Sequence, residues 1–343
     1  MKRLVSVMAA FGVLFCAASV NADLIVYDGF DYAAGGLAGN DGGEGQWGDN
    51  AWTDSGQVFA GGLTYPAMPV TGGKAGNVGT GERVQMKREA DTTWGQADTT
   101  TWFAFLVQLQ GPASAITEGD LNTGSNWGGA KFSGKCWMGN NWGSANWGLE
   151  NPRPTNSDVV CNTETHLLVQ KIDFYESPDT PGSVRAEKWM WLDPPVAEPP
   201  AADDAILGDS SGGITYDRTN FSMNDFWADL SDGFEAYMDE IRIGTTYADV
   251  APVLTGDFDG NGAVNGLDIP GFKTALSDPN IFDFENPELP HPDYLGDFDG
   301  NGAFNGLDIP GFKAALAGTA VPEPATMLLL GLGALGAIRR RRG

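Results

Sequence analysis

The stretch Val184-Arg185-Ala186-Glu187-Lys188-Trp189-Met190-Trp191-Leu192 reads as a β-strand. Val184, Ala186, Lys188, Met190 and Leu192 alternate with Arg185, Glu187, Trp189 and Trp191, the period of two that belongs to a strand. On either side of it, strands are expected over 24–32, 83–89, 101–109, 130–133, 147–150, 166–175, 214–223 and 236–247, separated by Gly/Asn/Asp turns. Residues 23–250 show hardly any helical periodicity, so many short strands predict a mainly β sandwich and not a βαβ fold. The segment 193–205, DPPVAEPPAADDA, has a linker's composition. A sandwich needs the strands after it, so it is read as an excursion between strands.

Beyond that region the chain repeats itself with a period of 40. Residues 256–276 read GDFDGNGAVNGLDIPGFKTAL and 296–316 read GDFDGNGAFNGLDIPGFKAAL, differing only at 264/304 and 274/314. Two copies suit a small paired module, since a solenoid needs three or more. Each copy holds D-x-D-x-N-G-x-x-N-x-x-D: Asp257, Asp259, Asn261, Ala263, Asn265 and Asp268 in the first, Asp297, Asp299, Asn301, Ala303, Asn305 and Asp308 in the second. Calcium takes 6–8 oxygens at about 2.3–2.6 Å, and side chains at loop positions 1, 3 and 5 converge on one ion. Gly262 and Gly302 permit the sharp turn, Ala263 and Ala303 offer backbone carbonyls, Asn265 and Asn305 can hold a water, and Asp268 and Asp308 close the shell. Ile269, Phe272 and Leu276, with Ile309, Phe312 and Leu316, then fall on one helix face, and Pro270 and Pro310 fit only a first turn. No helix is expected before either loop, because Gly256 and Gly296 sit in turn-like sequence.

This duplication resembles type I dockerin over 255–318, including aspartate at position 12. The resemblance implies a small α module holding two calcium ions. Gly266-Leu267 and Gly306-Leu307 stand where cellulosomal dockerins often carry small hydroxyl residues, and the 277–295 spacer is long, acidic and proline-rich. Calcium binding carries over; a cohesin-like partner does not.

The whole chain has a net charge of −25. Without Lys2, Arg3 and the four arginines 339–342, 14 basic residues face 45 acidic ones, or −31. That excludes nucleic acid as a natural partner and suits calcium and solubility outside the cell. Two histidines, His166 and His291, and no zinc spacing argue against a transition-metal site. Residues 1–22 read as a signal peptide: Lys2 and Arg3, an apolar run, then Val20-Asn21-Ala22 before the cut. Cys136 and Cys161 then remain in the mature chain and can form one disulfide in an oxidising compartment.

At the other end Val321-Pro322-Glu323-Pro324 precedes the apolar run ATMLLLGLGALGAI (325–338) and the arginine block. That run spans roughly 21 Å as a helix, short for a hydrocarbon core of about 30 Å, and the arginines belong on the cytoplasmic side. The tail, 321–343, resembles the PEP-CTERM sorting signal. The resemblance implies that an exosortase reads Pro322, Glu323 and Pro324. It also implies a transient hold at the inner membrane before release to the cell surface or extracellular matrix.

Over 23–250 the motifs YDGFDY (27–32), TWFAFLVQ (101–108), WMGNNWGSANWGLE (137–150), THLLVQKIDF (165–174), WLDP (191–194) and MDEIRIGTTYADV (238–250) occur in order. Together they resemble the concanavalin A-like (LamG-like) jelly rolls of exported PEP-CTERM proteins. The resemblance implies a two-sheet sandwich, sometimes glycan-binding, with no assigned activity and with the calcium pair attached outside it. Trp127, Trp137, Trp142 and Trp147 are the candidate contacts for an extracellular polysaccharide, weighed against packing in the sandwich. Glu235, Asp239 and Glu240 are the nearest carboxylate cluster to a hydrolase's pair, but alternation puts Glu235 and Asp239 on one face and Glu240 on the other. The expectation is a non-catalytic exported protein with no catalytic residues; the alternative is a polysaccharide-degrading O-glycosyl hydrolase of the same fold.

Overall fold

A computed structural model of the chain describes residues 24–77, 84–110, 128–132, 137–140, 146–150, 154–196, 198–218, 223–230, 235–287 and 289–318. Its strands are β1 (Leu24–Asp28), β2 (Gly35–Gly36), β3 (Glu44–Gly45), β4 (Thr53–Asp54), β5 (Gln57–Phe59), β6 (Lys74–Gly76), β7 (Val84–Trp94), β8 (Thr99–Gln110) and β9 (Gly128–Phe132). They continue as β10 (Trp137–Asn140), β11 (Asn146–Glu150), β12 (Pro154–Val160), β13 (Thr165–Glu176), β14 (Val184–Leu192), β15 (Ile214–Arg218), β16 (Met223–Leu230) and β17 (Glu235–Gly244). The α-helices all follow: α1 (Tyr247–Val250), α2 (Asp268–Ser277), α3 (Pro279–Glu285), α4 (Pro292–Gly296) and α5 (Ile309–Gly318).

The strands form two antiparallel sheets. The first runs β15-β14-β13-β8-β17-β6-β5-β2, with β1 on β17 and β3 on β1. The second runs β12-β11-β10-β9-β16-β7-β4. Their inner faces meet in one apolar cluster, where Phe103 of β8 meets Phe226 of β16 edge to face with ring centroids 5.9 Å apart. The alternation in β14 holds: Ala186 and Met190 point into this core while Trp189 and Trp191 face the other way. The segment expected as one strand over 214–223 is two. β15 lies at the edge of the first sheet and β16 in the second, so the chain changes sheets between them. β12 begins at Pro154, which the sheet accepts because this strand is at its edge.

The centre of the first sheet, β8 and β13, is buried on both faces. Trp102, Ala104 and Leu106 of β8 and Leu167 and Val169 of β13 point outward into a second apolar cluster. That cluster runs on through Leu63, Ala67 and Met68, through Tyr247 and Val250 of α1, and into Phe258, Phe272, Phe282, Phe304 and Phe312. A strap at 63–71 and the repeat region thus cover the outside of the sheet. The proline-rich segment also packs there: Val196 is buried, and Trp191 Nε1 donates to the Ala201 carbonyl at 2.9 Å. The spacer between the repeats forms α3 and α4, each with proline in its first turn. The absence of a helix before the second loop is therefore corrected. α4 ends at Gly296, beside Asp297, because Pro292 and its His291 cap start a turn that the composition hid.

Candidate functional site

Both repeats close the same kind of loop. Gly260 and Gly262 take φ of 69° and 80°, and Gly300 and Gly302 take 72° and 83°, values that a side chain would strain. The tight turn aims backbone N–H groups inward. In the first loop Asn261 and Gly262 donate to Asp257 at 3.1 and 2.9 Å, and Asp259 and Asn265 donate to Asp268 at 3.1 and 2.6 Å. In the second, Asn301 and Gly302 donate to Asp297 at 2.9 and 2.7 Å, and Asp299 and Asn305 donate to Asp308 at 3.2 and 2.8 Å. Asn261 and Asn301 each accept from the alanine two residues on, at 2.9 and 3.0 Å. Asn265 and Asn305 each donate to the alanine carbonyl, both at 2.9 Å. α2 and α5 begin at the loop ends, with Pro270 and Pro310 in their first turns.

Carboxylate oxygens of Asp257, Asp259 and Asp268 lie within 4.8 Å of one another, as do those of Asp297, Asp299 and Asp308. The donors are all oxygens, and such separations fit a hard divalent cation bonded at about 2.3–2.6 Å. Like charges at this distance repel. Burial first, and then the charge of Asp268, pushes the Asp257 carboxyl up to about 6. Asp268 is also raised, chiefly by burial. Position 11 of each loop exposes a leucine, Leu267 at 67% and Leu307 at 68%.

The other candidate residues are distributed differently. Trp147 is fully buried and meets His166 edge to face, so its ring is not open to a ligand. Its strand alternation turns it inward with Leu149. Trp127, Trp142 and Cys136 lie outside the described residues, as do Pro322, Glu323 and Pro324; Trp137 is described only as the first residue of β10. Asp239 and Glu240 do not face opposite ways. Register shifts between Asp239 and Arg242, with Glu240 at φ 51°, and both side chains reach the strap. Asp239 accepts from Leu63 N at 2.8 Å and Glu240 from Thr71 N at 2.7 Å, while Arg242 donates to Glu240 at 2.8 Å. Period-two counting cannot foresee a bulge.

YDGFDY forms a hub that sequence reasoning did not assign. Asp28, fully buried, accepts from Tyr32, Trp52 and Arg88 at 2.7, 2.8 and 2.7 Å. Arg88 Nε also donates to the Asn50 carbonyl at 2.8 Å, and its guanidinium lies 4.7 Å from the Trp47 ring. This fixes the 47–53 loop from beneath. Above it a groove of about 390 Å³ opens, lined by Asp49, Asn50, Ala51, Thr53, Lys87 and Glu89. Lys87 bridges Glu89 at 2.9 Å and Asp225 at 3.3 Å on its rim.

The PEP-CTERM protein-sorting motif matches residues 320–342. The chain is an exported protein carrying that sorting signal. No curated protein matches. Among solved structures, the T. cruzi calreticulin globular domain is similar at 12% identity, over 58% of this chain and 86% of that one, with a TM-score of 0.36. The alginate lyase Aly36B bound to an alginate tetrasaccharide is similar at 10% identity, over 66% and 98%, with a TM-score of 0.31. The VIP36 exoplasmic/lumenal domain in its Ca2+/Man-bound form follows at 7% identity, over 57% and 83%, with a TM-score of 0.30. The sandwich itself rests on the pairing and packing described above. Among the described residues no helix is long and apolar enough to cross a membrane.

Proposed function

We propose that this is a non-catalytic protein of the cell surface or extracellular matrix, with a jelly-roll domain over 23–250, a dockerin-like calcium pair over 255–318 and a tail processed by an exosortase. The observation that carries the calcium reading is the congruence of the two loops: in both, oxygens of three aspartates gather within 4.8 Å around an inward ring of N–H donors. Asp257, Asp259, Asn261, Asp268 and the Ala263 carbonyl would hold one ion, with Asn265 through water; Asp297, Asp299, Asn301, Asp308, the Ala303 carbonyl and Asn305 would hold the other. Calcium would supply the positive charge that lets the carboxylates of each loop stay together. Calorimetry on the mature chain should find two calcium sites, with Asp257→Ala and Asp297→Ala each removing one. No binding at millimolar calcium would refute this reading.

The polysaccharide surface we assign is the groove at Asp49, Asn50, Thr53, Lys87 and Glu89. Hydrogen-bonding groups converge there on a loop already fixed by Arg88, the arrangement that suits a hydroxyl-rich ligand. A glycan array with calcium present should show binding that Thr53→Trp, which fills the groove, abolishes. Binding unaffected by that change would move the site elsewhere. Release of reducing sugar from a bound polysaccharide would favour the hydrolase alternative.

A further inference from the structure

The two loops are nearly identical in sequence, but the fold treats them differently. Asp257 is fully buried, whereas its counterpart Asp297 is half-buried. Phe258 is 1% exposed, whereas Phe298 is half-buried. The first loop leaves the sandwich directly. α1 lies against the outer face of the first sheet, Ala251 is buried, and Leu254 N donates to the Ala67 carbonyl of the strap at 2.7 Å. Asp257 N then donates to the Leu254 carbonyl at 3.1 Å. Gly260, inside the loop, packs so closely that an added Cβ would stand 2.7 Å from Leu289 and 3.7 Å from Pro66 of the strap. The strap is in turn tied to β17 by Asp239 and Glu240, and β17 pairs with β8 at the centre of the sheet. The side-chain hydrogen bonds described for the second loop stay within 293–308. At its base the Leu295 carbonyl accepts from Gly256 N at 2.7 Å, so the described backbone bond out of this region goes to the first repeat and not to the strap.

We infer that the first calcium loop is a joint that couples ion binding to the stability of the β-sandwich through the 63–71 strap, while the second loop acts within the repeat pair alone. This rests on the calcium reading above and goes beyond it, since equal loops would otherwise give equal effects. The physical basis is linkage. An ion that binds only the folded loop stabilises whatever unfolds together with that loop. Both loops border the same buried apolar cluster, but the first has a direct hydrogen-bonded path to the strap through Leu254 and Ala67, whereas the described links of the second run through the first repeat, by Phe304 against Phe258 and by the Leu295 carbonyl on Gly256 N.

The sequence supplies its own probe. The last of the 11 tryptophans is Trp227, so none lies in the repeat region. Tryptophan fluorescence therefore has no reporter inside the calcium loops and follows the sandwich, including Trp102 and Trp191 on the face that the repeat region covers. The mature chain and the matched variants Asp259→Asn and Asp299→Asn, which change an exposed ligand to the same amide in each loop, would be heated with saturating calcium or with chelator. Calcium should raise the fluorescence-detected Tm of the wild type by about 5 °C. That rise should persist in D299N and shrink by more than half in D259N. Calorimetry on the same samples counts bound ions. Two ions bound with no change in the fluorescence Tm, or equal losses in the two variants, would overturn the joint while leaving calcium binding intact. No ion bound would overturn the calcium reading and the joint with it. Should D259N fail to fold, Leu289→Ala, which trims the contact under Gly260 and leaves every ligand in place, should bind two ions with a reduced Tm shift; an unreduced shift there also overturns the joint.

Discussion

At the scale of single residues, position decides chemistry more than type does. Asp257 and Asp297 open identical motifs, yet only the first is sealed from water. With its carboxyl pushed up to about 6 by burial, the metal-free folded loop binds protons more readily than the unfolded chain, whose value is 3.8. Between those values the folded state holds more protons than the unfolded one. Asp257 therefore lowers the stability of the metal-free protein as pH rises from about 4 through 6. On the calcium reading proposed above, an ion would take the proton's place and reverse that sign, so its affinity should fall as pH drops through about 6. Calorimetry on D297A, which keeps only the first loop, should find binding about tenfold weaker at pH 5 than at pH 7, one proton being displaced below the pKa. Equal affinities at the two pH values would contradict the burial account. Asp28 and Arg88 show the opposite use of burial: the charges face each other at 2.7 Å, and Trp52 and Tyr32 satisfy the carboxylate further.

At the scale of elements, the two loop-helix repeats meet face to face. Phe272 and Phe312, equivalent residues of α2 and α5, stack with centroids 4.0 Å apart and planes 3° from parallel. Phe258 then contacts Phe272, Phe282, Phe304 and Phe312, with centroids 5.3 to 5.8 Å away. Its counterpart Phe298 touches Phe312 at 6.0 Å and keeps part of its surface in water. Phe258→Ala should therefore cost about 3–5 kcal/mol, measured with calcium in the buffer. Phe298→Ala should cost less than about half of that, because solvent can fill the space it leaves. Denaturant titration followed by circular dichroism checks the difference; equal costs would mean that the repeats are equivalent after all. The helix face Ile269, Phe272 and Leu276 was legible from spacing alone. The position of α4 was not, since a five-residue helix gives no periodic signal.

At the scale of the whole molecule, the long strands, the duplicated loops, the sorting tail and the acidic charge are all written in the order of the residues. Each is local: side-chain period, spacing of oxygen ligands, a run of apolar residues, a count of charges. One global feature also left a trace. The run TWFAFLVQ over 101–108 is apolar on both strand faces, as a strand covered on both sides must be, and the cover is the strap with the repeat region. What lay across that outer face had no such trace, because packing between segments far apart in the chain is set by shape and not by periodicity. The bulge that turns Asp239 and Glu240 together onto the strap, the inward turn of Trp147, and the groove over Arg88 belong to the same class. That two nearly identical aspartate loops differ emerges from the packing around them. In one the first aspartate, Asp257, is closed off from water, in the other Asp297 keeps part of its surface in solvent, and desolvation is a property of neighbours that the spacing of twelve loop positions cannot encode.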